Sequence, residues 1–353
     1  MTQLDAKIAA FSKLGTLLSD YCKSLNNDTE TLPNKDWLSK TSNAVILANQ
    51  HNGWFTPENI QYCFENWSRL LNKKNLKEWL NSYSLSSNKN KLVAIIMAGN
   101  IPLVGFHDFL SVLLSGNSVL VKLSSNDKIL LPFIAEYLIA IEPSLQDEIH
   151  FTEAKLEDFD AVIATGSDNT ARYFEYYFGK KPNIIRKNRN SVAILTGKET
   201  TKQLEALSED IFRYYGLGCR SVSKLFVPKG YNFDTFFKAM YAHHPIINQI
   251  KYANNYDYNK AVYLMSEFNI LENGFLMLKE DESYASPIAS VFYEFYDSID
   301  VLTTKLQHDA NKIQCIVANG VTPEEISFGQ TQAPSLTDYA DGVDVVEFLL
   351  KTS

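Results

Sequence analysis

Cys219 stands in the stretch YYGLGCRSVSKLFV, preceded by Gly216 and Gly218 and followed by Arg220. An ionised thiol is the strongest nucleophile among the common side chains, and a neighbouring cation with clustered backbone N–H groups favours the ionised form. The two glycines let the backbone approach a ligand closely. This is a setting for covalent catalysis, with a buried structural cysteine as the plainer alternative. Asn100, in AGNIP, follows an apolar strand-like run on the way into a helix-like one. Its amide can donate to a developing oxyanion and, paired with the backbone N–H of a nucleophilic cysteine, would form an oxyanion hole. The plainer alternative is a helix N-cap.

Lys122 closes the run NSVLVKLS, and Gly166 with Ser167 close VIATGS ahead of another helical pattern. A strand-end lysine can hold ribose hydroxyls or phosphates, and Gly-Ser at a helix start can meet a pyrophosphate through backbone amides. Neither GxGxxG nor GxxxxGK[ST] is present, so each signal is weak taken singly. His243 and His244 precede Pro245, but adjacent side chains diverge and no HxxxH spacing accompanies them, so no metal site is expected. His107, in the helix after Asn100, is expected to pack or to face solvent.

These residues need elements to position them, and the sequence supplies an alternation. From Lys91, LVAIIMAG reads as strand, PLVGFHDFLSVLLSG as helix, NSVLVKLS as strand and KILLPFIAEYLIAIEP as helix; EIHFTE, FDAVIATGS and NTARYFEYYFG continue the series. Such alternation predicts parallel βαβ units with ligands at the carboxyl ends of the strands. A second series follows: SVAILTG, TKQLEALSEDIFRYYG, VSKLFVPKG, FDTFFKAMYAHH and IQCIVANG. A basic loop around Arg186 and Arg189 is expected to join the two. Ahead of both lies a helical preface in which Ile8, Phe11, Leu14, Leu17 and Leu18 recur at helical spacing. Pro33 and the pair Asn52 and Gly53 should break it, and Thr56 before Pro57 reads as a helix start. The character of the sequence changes near Ser86. The expected division is a helical segment over 1–85, a cofactor-binding α/β domain over 86–187, a catalytic α/β domain over 188–325 and a C-terminal segment over 326–353.

Composition narrows the function classes. The chain of 353 residues has 33 Lys plus Arg against 41 Asp plus Glu, a formal charge of −8, which gives no footprint for nucleic acid. Its cysteines, Cys22, Cys63, Cys219 and Cys315, are far apart without a CxxC pair, so neither disulfides nor a Cys-ligated zinc is expected. No basic-then-apolar leader is visible, and no apolar stretch approaches the roughly 20 residues that span a bilayer. A cytoplasmic protein without a transmembrane segment is the expectation.

Taken in order, AGNIP, GNSVLVKLS, ATGS and GLGCRSVSKLFV resemble four ordered blocks of the aldehyde dehydrogenase superfamily, down to the basic Lys224 that opens KLFV. HNGWFTPEN, GNIPLVGFHDFLSVLLSGNSVLVKLSSND and SLTDYADGVD are similar more narrowly to the acyl-CoA reductase family, which includes the fatty-acid reductase component of bacterial bioluminescence. The similarity runs from about residue 45 to the end. It implies an aldehyde dehydrogenase-like α/β fold, with a Rossmann-like cofactor domain beside an α/β catalytic domain. It also implies Cys219 as acyl acceptor, Asn100 as oxyanion donor, and Lys122, Gly166 and Ser167 at the cofactor.

Two departures refine this. Superfamily members that make acids carry a Glu in an ELGGK block to activate water, whereas the corresponding stretch RKNRNSVAIL has no acidic residue between Lys180 and Lys198. Without that base a thiol such as coenzyme A becomes the exchanging partner. NAD-preferring relatives often have a Glu three residues beyond the strand-end Lys, where this chain has Ser125. The neutral pair Ser124 and Ser125 beside Lys122 tolerates a 2′-phosphate, so NADPH is the expected cofactor. The implied activity is reduction of an acyl-CoA or acyl-carrier thioester, with a fatty acyl group expected, to an aldehyde. A homo-oligomer is expected from the superfamily's habit. The rivals are an aldehyde dehydrogenase forming free acid and a non-catalytic acyl-binding subunit. Lys180, Lys181, Arg186, Lys187 and Arg189 would meet phosphates or form a solvated loop. Tyr173, Phe174, Tyr176, Tyr177 and Phe178 would line an acyl tunnel or belong to a core or subunit face.

Overall fold

The computed structural model describes residues 2–25, 34–85 and 90–352. Pro33 and Ser86, expected breaks, lie outside the described residues. The chain divides into two compact units, Met1–Lys187 with Ser335–Ser353, and Asn188–Pro334. Among the described residues no helix is long and apolar enough to cross a membrane.

Among the described residues the first unit opens with the helices α1 (Gln3–Ser24), α2 (Lys35–His51), α3 (Pro57–Leu70) and α4 (Lys73–Leu80). The apolar stripe Ile8, Phe11, Leu14, Leu17 and Leu18 of α1 is buried, as its spacing predicts. Asn52 terminates α2, and Thr56 caps α3 with Pro57 in its first turn. Then β1 (Leu92–Ile96), α5 (Phe106–Leu114), β2 (Ser118–Lys122), α6 (Leu130–Ile141), β3 (Ile149–Phe151), β4 (Ala161–Thr165), α7 (Asp168–Phe178) and β5 (Asn183–Arg186) alternate. The strands pair in the order β3-β2-β1-β4-β5, every ladder parallel. Val93, Ala94, Ile95, Val162, Ile163 and Ala164 are buried, as strands covered on both faces require.

The second unit contains β6 (Asn190–Ile194), α8 (Thr201–Phe212), β7 (Val222–Pro228), α9 (Phe233–Met240), α10 (Ile250–Met265), β8 (Ile270–Glu272), β9 (Met277–Glu280), β10 (Ser290–Tyr296), α11 (Ile299–His308) and β11 (Ile313–Val317). Its sheet order is β11-β6-β7-β10-β9-β8, parallel except for the β8/β9 hairpin edge. Val192, Ile194 and Phe226 feed one face of its core, and Ala193, Leu225 and Val227 the other. The final helix α12 (Val345–Lys351) packs with α5 in the first unit. There Tyr339 accepts from Trp79 Nε1 at 2.7 Å and meets the Tyr83 hydroxyl at 2.6 Å, while Tyr83 donates to Asp344 at 2.6 Å. The SLTDYADGVD stretch is thereby locked onto the N-terminal helices.

The basic loop expected around Arg186 needs correction. Arg186 ends β5, and its guanidinium donates to both carboxylate oxygens of Asp108 on α5, at 2.5 and 2.8 Å. Both side chains are buried. A buried pair is costly to halve, because the remaining charge is stranded in low dielectric. Asp108→Ala is therefore expected to destabilise the protein by about 3–5 kcal/mol, read as a lower urea midpoint. Asp108→Leu combined with Arg186→Met should restore most of the loss, and equal midpoints for the two variants would refute this account.

Candidate active site

Because every ladder of the first sheet is parallel, its carboxyl ends share one edge. Ile96 pairs with Lys122 on one side and Ala164 on the other, so the ends of β2, β1 and β4 are level. Asn100, Lys122, Ser124, Ser125, Gly166 and Ser167 all lie on or just past these three neighbouring strands. The connections leave β1 for β2 and later cross to β4 on its other side, the switch point where open α/β sheets take ligands.

Lys122 is half-buried and donates to the Ala154 carbonyl at 2.9 Å, which holds its ammonium near the strand end. Gly99 is required by close approach: a Cβ there would sit 2.6 Å from Ser124 Oγ. Ser124 Oγ accepts from the Asn126 N–H at 3.2 Å. Ser125 is exposed, and its carbonyl accepts from His51 Nε2 at 2.7 Å. Gly166 packs under α7, where a Cβ would lie 3.0 Å from Phe174 and Thr170. Ser167 caps α7 by accepting from the Thr170 N–H at 3.3 Å, so the first turn of that helix opens at the sheet edge.

Asn100 does not cap a helix. Helix α5 begins only at Phe106, with Gly105 at its N-cap, and the intervening chain passes through Leu103 in the left-handed region, φ 56°. Sequence reasoning missed the brace of this turn. Asp127 is buried between the Asn100 turn and the start of α6; burial pushes its carboxyl up, and the backbone N–H groups of Leu103, Leu130 and Ile129 pull against that shift. An Asp just ahead of the apolar run KILLPF was the available signal.

Cys219 belongs to the second unit. Its thiol residue is exposed, whereas Cys22, Cys63 and Cys315 are buried, so it is not a structural core cysteine. The sequence predicts helix through Gly216, but α8 stops at Phe212. Tyr214, Tyr215 and Gly216 then follow one another in the left-handed region, at φ 54°, 59° and 74°. That conformation costs a non-glycine residue about 1–2 kcal/mol, and it reverses the chain so that Gly218 to Arg220 lead into β7. The loop is pinned: Ser191 Oγ on β6 donates to the Cys219 carbonyl at 3.0 Å, and Arg220 Nε donates to the Thr331 carbonyl at 2.6 Å. Gln332 Nε2 donates to Ser221 Oγ at 3.3 Å. Further along β7, Lys224 is fully buried, donating to Glu294 at 2.6 Å and to the Asp281 and Glu282 carbonyls at 3.0 and 2.7 Å. It anchors the strand.

Other candidates resolve into packing. The ring of His107 lies against Trp79 and Tyr339 and bonds the Leu336 carbonyl at 3.0 Å, and burial pulls its basicity down. His243 stacks on Phe212. The basic residues do not converge on one point: Lys187 pairs with Glu175, Lys181 with the Phe159 carbonyl, and Arg189 reaches the Ile313 carbonyl. On α7, Phe174 and Phe178 join the core, while Tyr173, Tyr176 and Tyr177 point to solvent.

Comparison with protein-family models matches residues 4–280 to the acyl-CoA reductase (LuxC) family. Comparison with curated proteins finds no match. Solved structures show the same fold at low identity. Aldehyde dehydrogenase 21 from Physcomitrella patens aligns at TM-score 0.64 and 11% identity, over 99% of this chain and 87% of its own. An aldehyde dehydrogenase from Bacillus cereus aligns at 0.62 and 14%, over 92% and 72%. The indole-3-acetaldehyde dehydrogenase of P. syringae, solved with NAD+, aligns at 0.59 and 13%, over 91% and 76%.

Selective alkylation follows from the exposure contrast. A brief, limiting treatment of the native protein with iodoacetamide should label Cys219 before Cys22, Cys63 or Cys315, as read by peptide mass mapping. Burial also pushes the Cys22 thiol up to about 12, which deepens its inertness. Equal labelling of all four in folded protein would contradict the site.

Proposed function

The chain belongs to the acyl-CoA reductase family, is an oxidoreductase of aldehyde-linked chemistry, and on that premise we propose that it reduces an acyl-CoA, with a fatty acyl chain, to the aldehyde using NADPH. The observation that carries this reading is the pairing of an exposed Cys219 with a neighbouring strand that offers it no carboxylate. The residue of β6 that touches the Cys219 backbone is Ser191, a hydroxyl. The first acid beyond that strand, Glu199, is engaged with the Thr196 and Gly197 N–H groups at 2.7 and 3.0 Å. An acyl-enzyme with no adjacent base to activate water exchanges with a thiol, which favours thioester over free acid.

In this reading the Cys219 thiolate attacks the thioester carbonyl. The side-chain amide of Asn100 and the Cys219 backbone N–H donate to the oxygen that gains charge, and the coenzyme A thiolate departs as the carbonyl re-forms. Bound NADPH supplies the hydride that brings the acyl group to the aldehyde level. Collapse of the resulting thiohemiacetal frees the aldehyde and returns the sulfur to Cys219.

The donor set at the first sheet fits such a cofactor. Lys122 offers a held ammonium for ribose or phosphate, Gly166 and Ser167 present the start of α7 to a pyrophosphate, and Ser124 and Ser125 present no negative charge to a 2′-phosphate. Ser124 accepts from the Asn126 N–H and keeps its own O–H to donate, and Ser125 is the more exposed of the pair.

Activity is tested by following reduced nicotinamide absorbance with a panel of acyl-CoAs. Cys219→Ala should abolish turnover, and Asn100→Ala should lower kcat by about 10²–10³ while leaving NADPH affinity intact. Turnover of Cys219→Ala at the parental rate would end this mechanism. Ser125→Glu should shift the NADPH to NADH preference toward NADH by at least about tenfold, equivalent to about 1.4 kcal/mol of added repulsion. An unchanged ratio would remove Ser125 from cofactor choice.

A further inference from the structure

Asp210 lies in the last turn of α8 with no exposed surface, yet it carries a carboxylate. Three donors meet it, all from one irregular segment: the Gly329 N–H at 2.6 Å, the Thr331 N–H at 2.9 Å and the Thr331 hydroxyl at 2.8 Å. The two backbone N–H groups can only donate, so the side chain must turn an acceptor oxygen to each, which a carboxyl group does with its two oxygens; burial pushes this carboxyl up. Asparagine of the same shape would turn an N–H₂ toward another N–H. The segment is pressed onto α8, since a Cβ on Gly329, φ +79°, would lie 3.1 Å from Ala206.

The contacts continue from there to Cys219. Thr331, also fully buried, presents its carbonyl to Arg220 Nε at 2.6 Å, and Ser191 Oγ donates to the Cys219 carbonyl at 3.0 Å. The peptide unit joining Cys219 to Arg220 is thus held at its oxygen by β6 and, through the Arg220 side chain, by the segment that Asp210 clamps. It follows three left-handed residues whose strain would otherwise loosen the turn.

We propose that Asp210 is a positioning residue for Cys219, acting through the chain Asp210, Thr331, Arg220 to fix the backbone from which the thiol projects, and so setting the rate at which that thiol is acylated. The inference rests on the reading of Cys219 as acyl acceptor. A clamp of this kind acts on the orientation of the nucleophile and not on the binding of substrate or cofactor, so its loss falls on kcat and spares KM.

The test uses the full-length protein and three variants, Asp210→Asn, Thr331→Val and Cys219→Ala. Hydrogen exchange by mass spectrometry reads the loop, on peptides covering residues 216–222. Rapid quench with a single acyl-CoA and no NADPH reads acylation, as coenzyme A release and as mass added to the peptide carrying Cys219. Asp210→Asn should raise exchange in that loop at least tenfold and slow acylation at least tenfold, with KM and NADPH affinity within about twofold of the parent. Thr331→Val, which keeps the carbonyl for Arg220 but removes one donor to Asp210, should move both readouts in the same direction by less. It also serves as the variant of record if Asp210→Asn fails to fold. Faster exchange with parental acylation would overturn the proposal, as would slowed acylation with an unaltered loop. Parental protein that never gains mass on Cys219, or Cys219→Ala that still releases coenzyme A, would instead sink the acyl-acceptor reading, and the exchange result would still report on the clamp.

Discussion

Parallel pairing is the constraint on which the proposed cofactor edge of the first sheet depends. A parallel ladder forces every strand to end at the same edge, and each return helix to begin there, so the turns after β1, β2 and β4 are neighbours whatever their sequences. What the sequence then adds is permission for those turns to come close. Gly99 lets the turn after β1 sit against Ser124, and Gly166 lets the turn after β4 sit against α7. Side chains at either position would push those elements apart. The polar residues are therefore consequences of topology plus two absent methyl groups, and none of them needs a recognisable glycine-rich fingerprint.

The cysteine side is built on a different principle. No regular element presents Cys219; a strained reversal at Tyr214, Tyr215 and Gly216 does, and buried polar groups hold it. Left-handed tyrosines cost energy that regular secondary structure would not. Tyr214 offsets part of this by burying its ring, and Tyr215 packs on Tyr252. Ser191 then holds the Cys219 carbonyl, Gln332 the Ser221 hydroxyl and the Thr331 carbonyl the Arg220 side chain, while Asp210 holds Thr331 in turn. Strain held by over-determined contacts is what a reactive side chain on a short loop requires, since the alternative is a mobile thiol that loses its orientation between encounters.

Most elements of the first unit were legible because their apolar runs are short, bounded and dominated by Val, Ile, Leu and Ala, as in LVAII and AVIAT. The misreadings have physical reasons. Helix α10 escaped because its buried face consists of Tyr252, Tyr256, Asn259 and Tyr263, residues that count as polar by type yet bury their rings at helical spacing. The strand β5 is only Asn183–Arg186 and ends in a charge, so it read as loop until the buried partner Asp108 accounted for the arginine. Helix α8 was drawn too long because Tyr214 keeps the apolar period after the backbone has left the helix. At the site, the types of Asn100, Lys122, Gly166 and Cys219 were readable, but their braces Asp127 and Asp210 were not. Asp210 bonds backbone N–H groups and Asp127 lies buried beside them, which no side-chain pattern reveals.

The split between thioester and free-acid chemistry turns on what stands near the acyl-enzyme, and here local bonding argues further than sequence absence alone. An acid could in principle reach the loop from elsewhere in the second unit, so the gap between Lys180 and Lys198 would not by itself decide the matter. The carboxylates bordering this region are, however, already occupied as acceptors. Glu199 holds the Thr196 and Gly197 amides, Asp210 holds Gly329 and Thr331, and Glu209 is paired with Arg213 at 2.6 Å. A general base must hold an oxygen open to water, and the oxygens of these carboxylates are turned to donors of the protein instead. Recruiting Asp210 would release the segment that steadies Cys219, so the acid closest in sequence to the nucleophile loop is the one least available to hydrolyse its ester. With Glu199 and Asp210 so engaged neither is set to activate water, whereas a thiol is already partly ionised near neutral pH, and that asymmetry favours an acyl group that arrives and exchanges as a thioester.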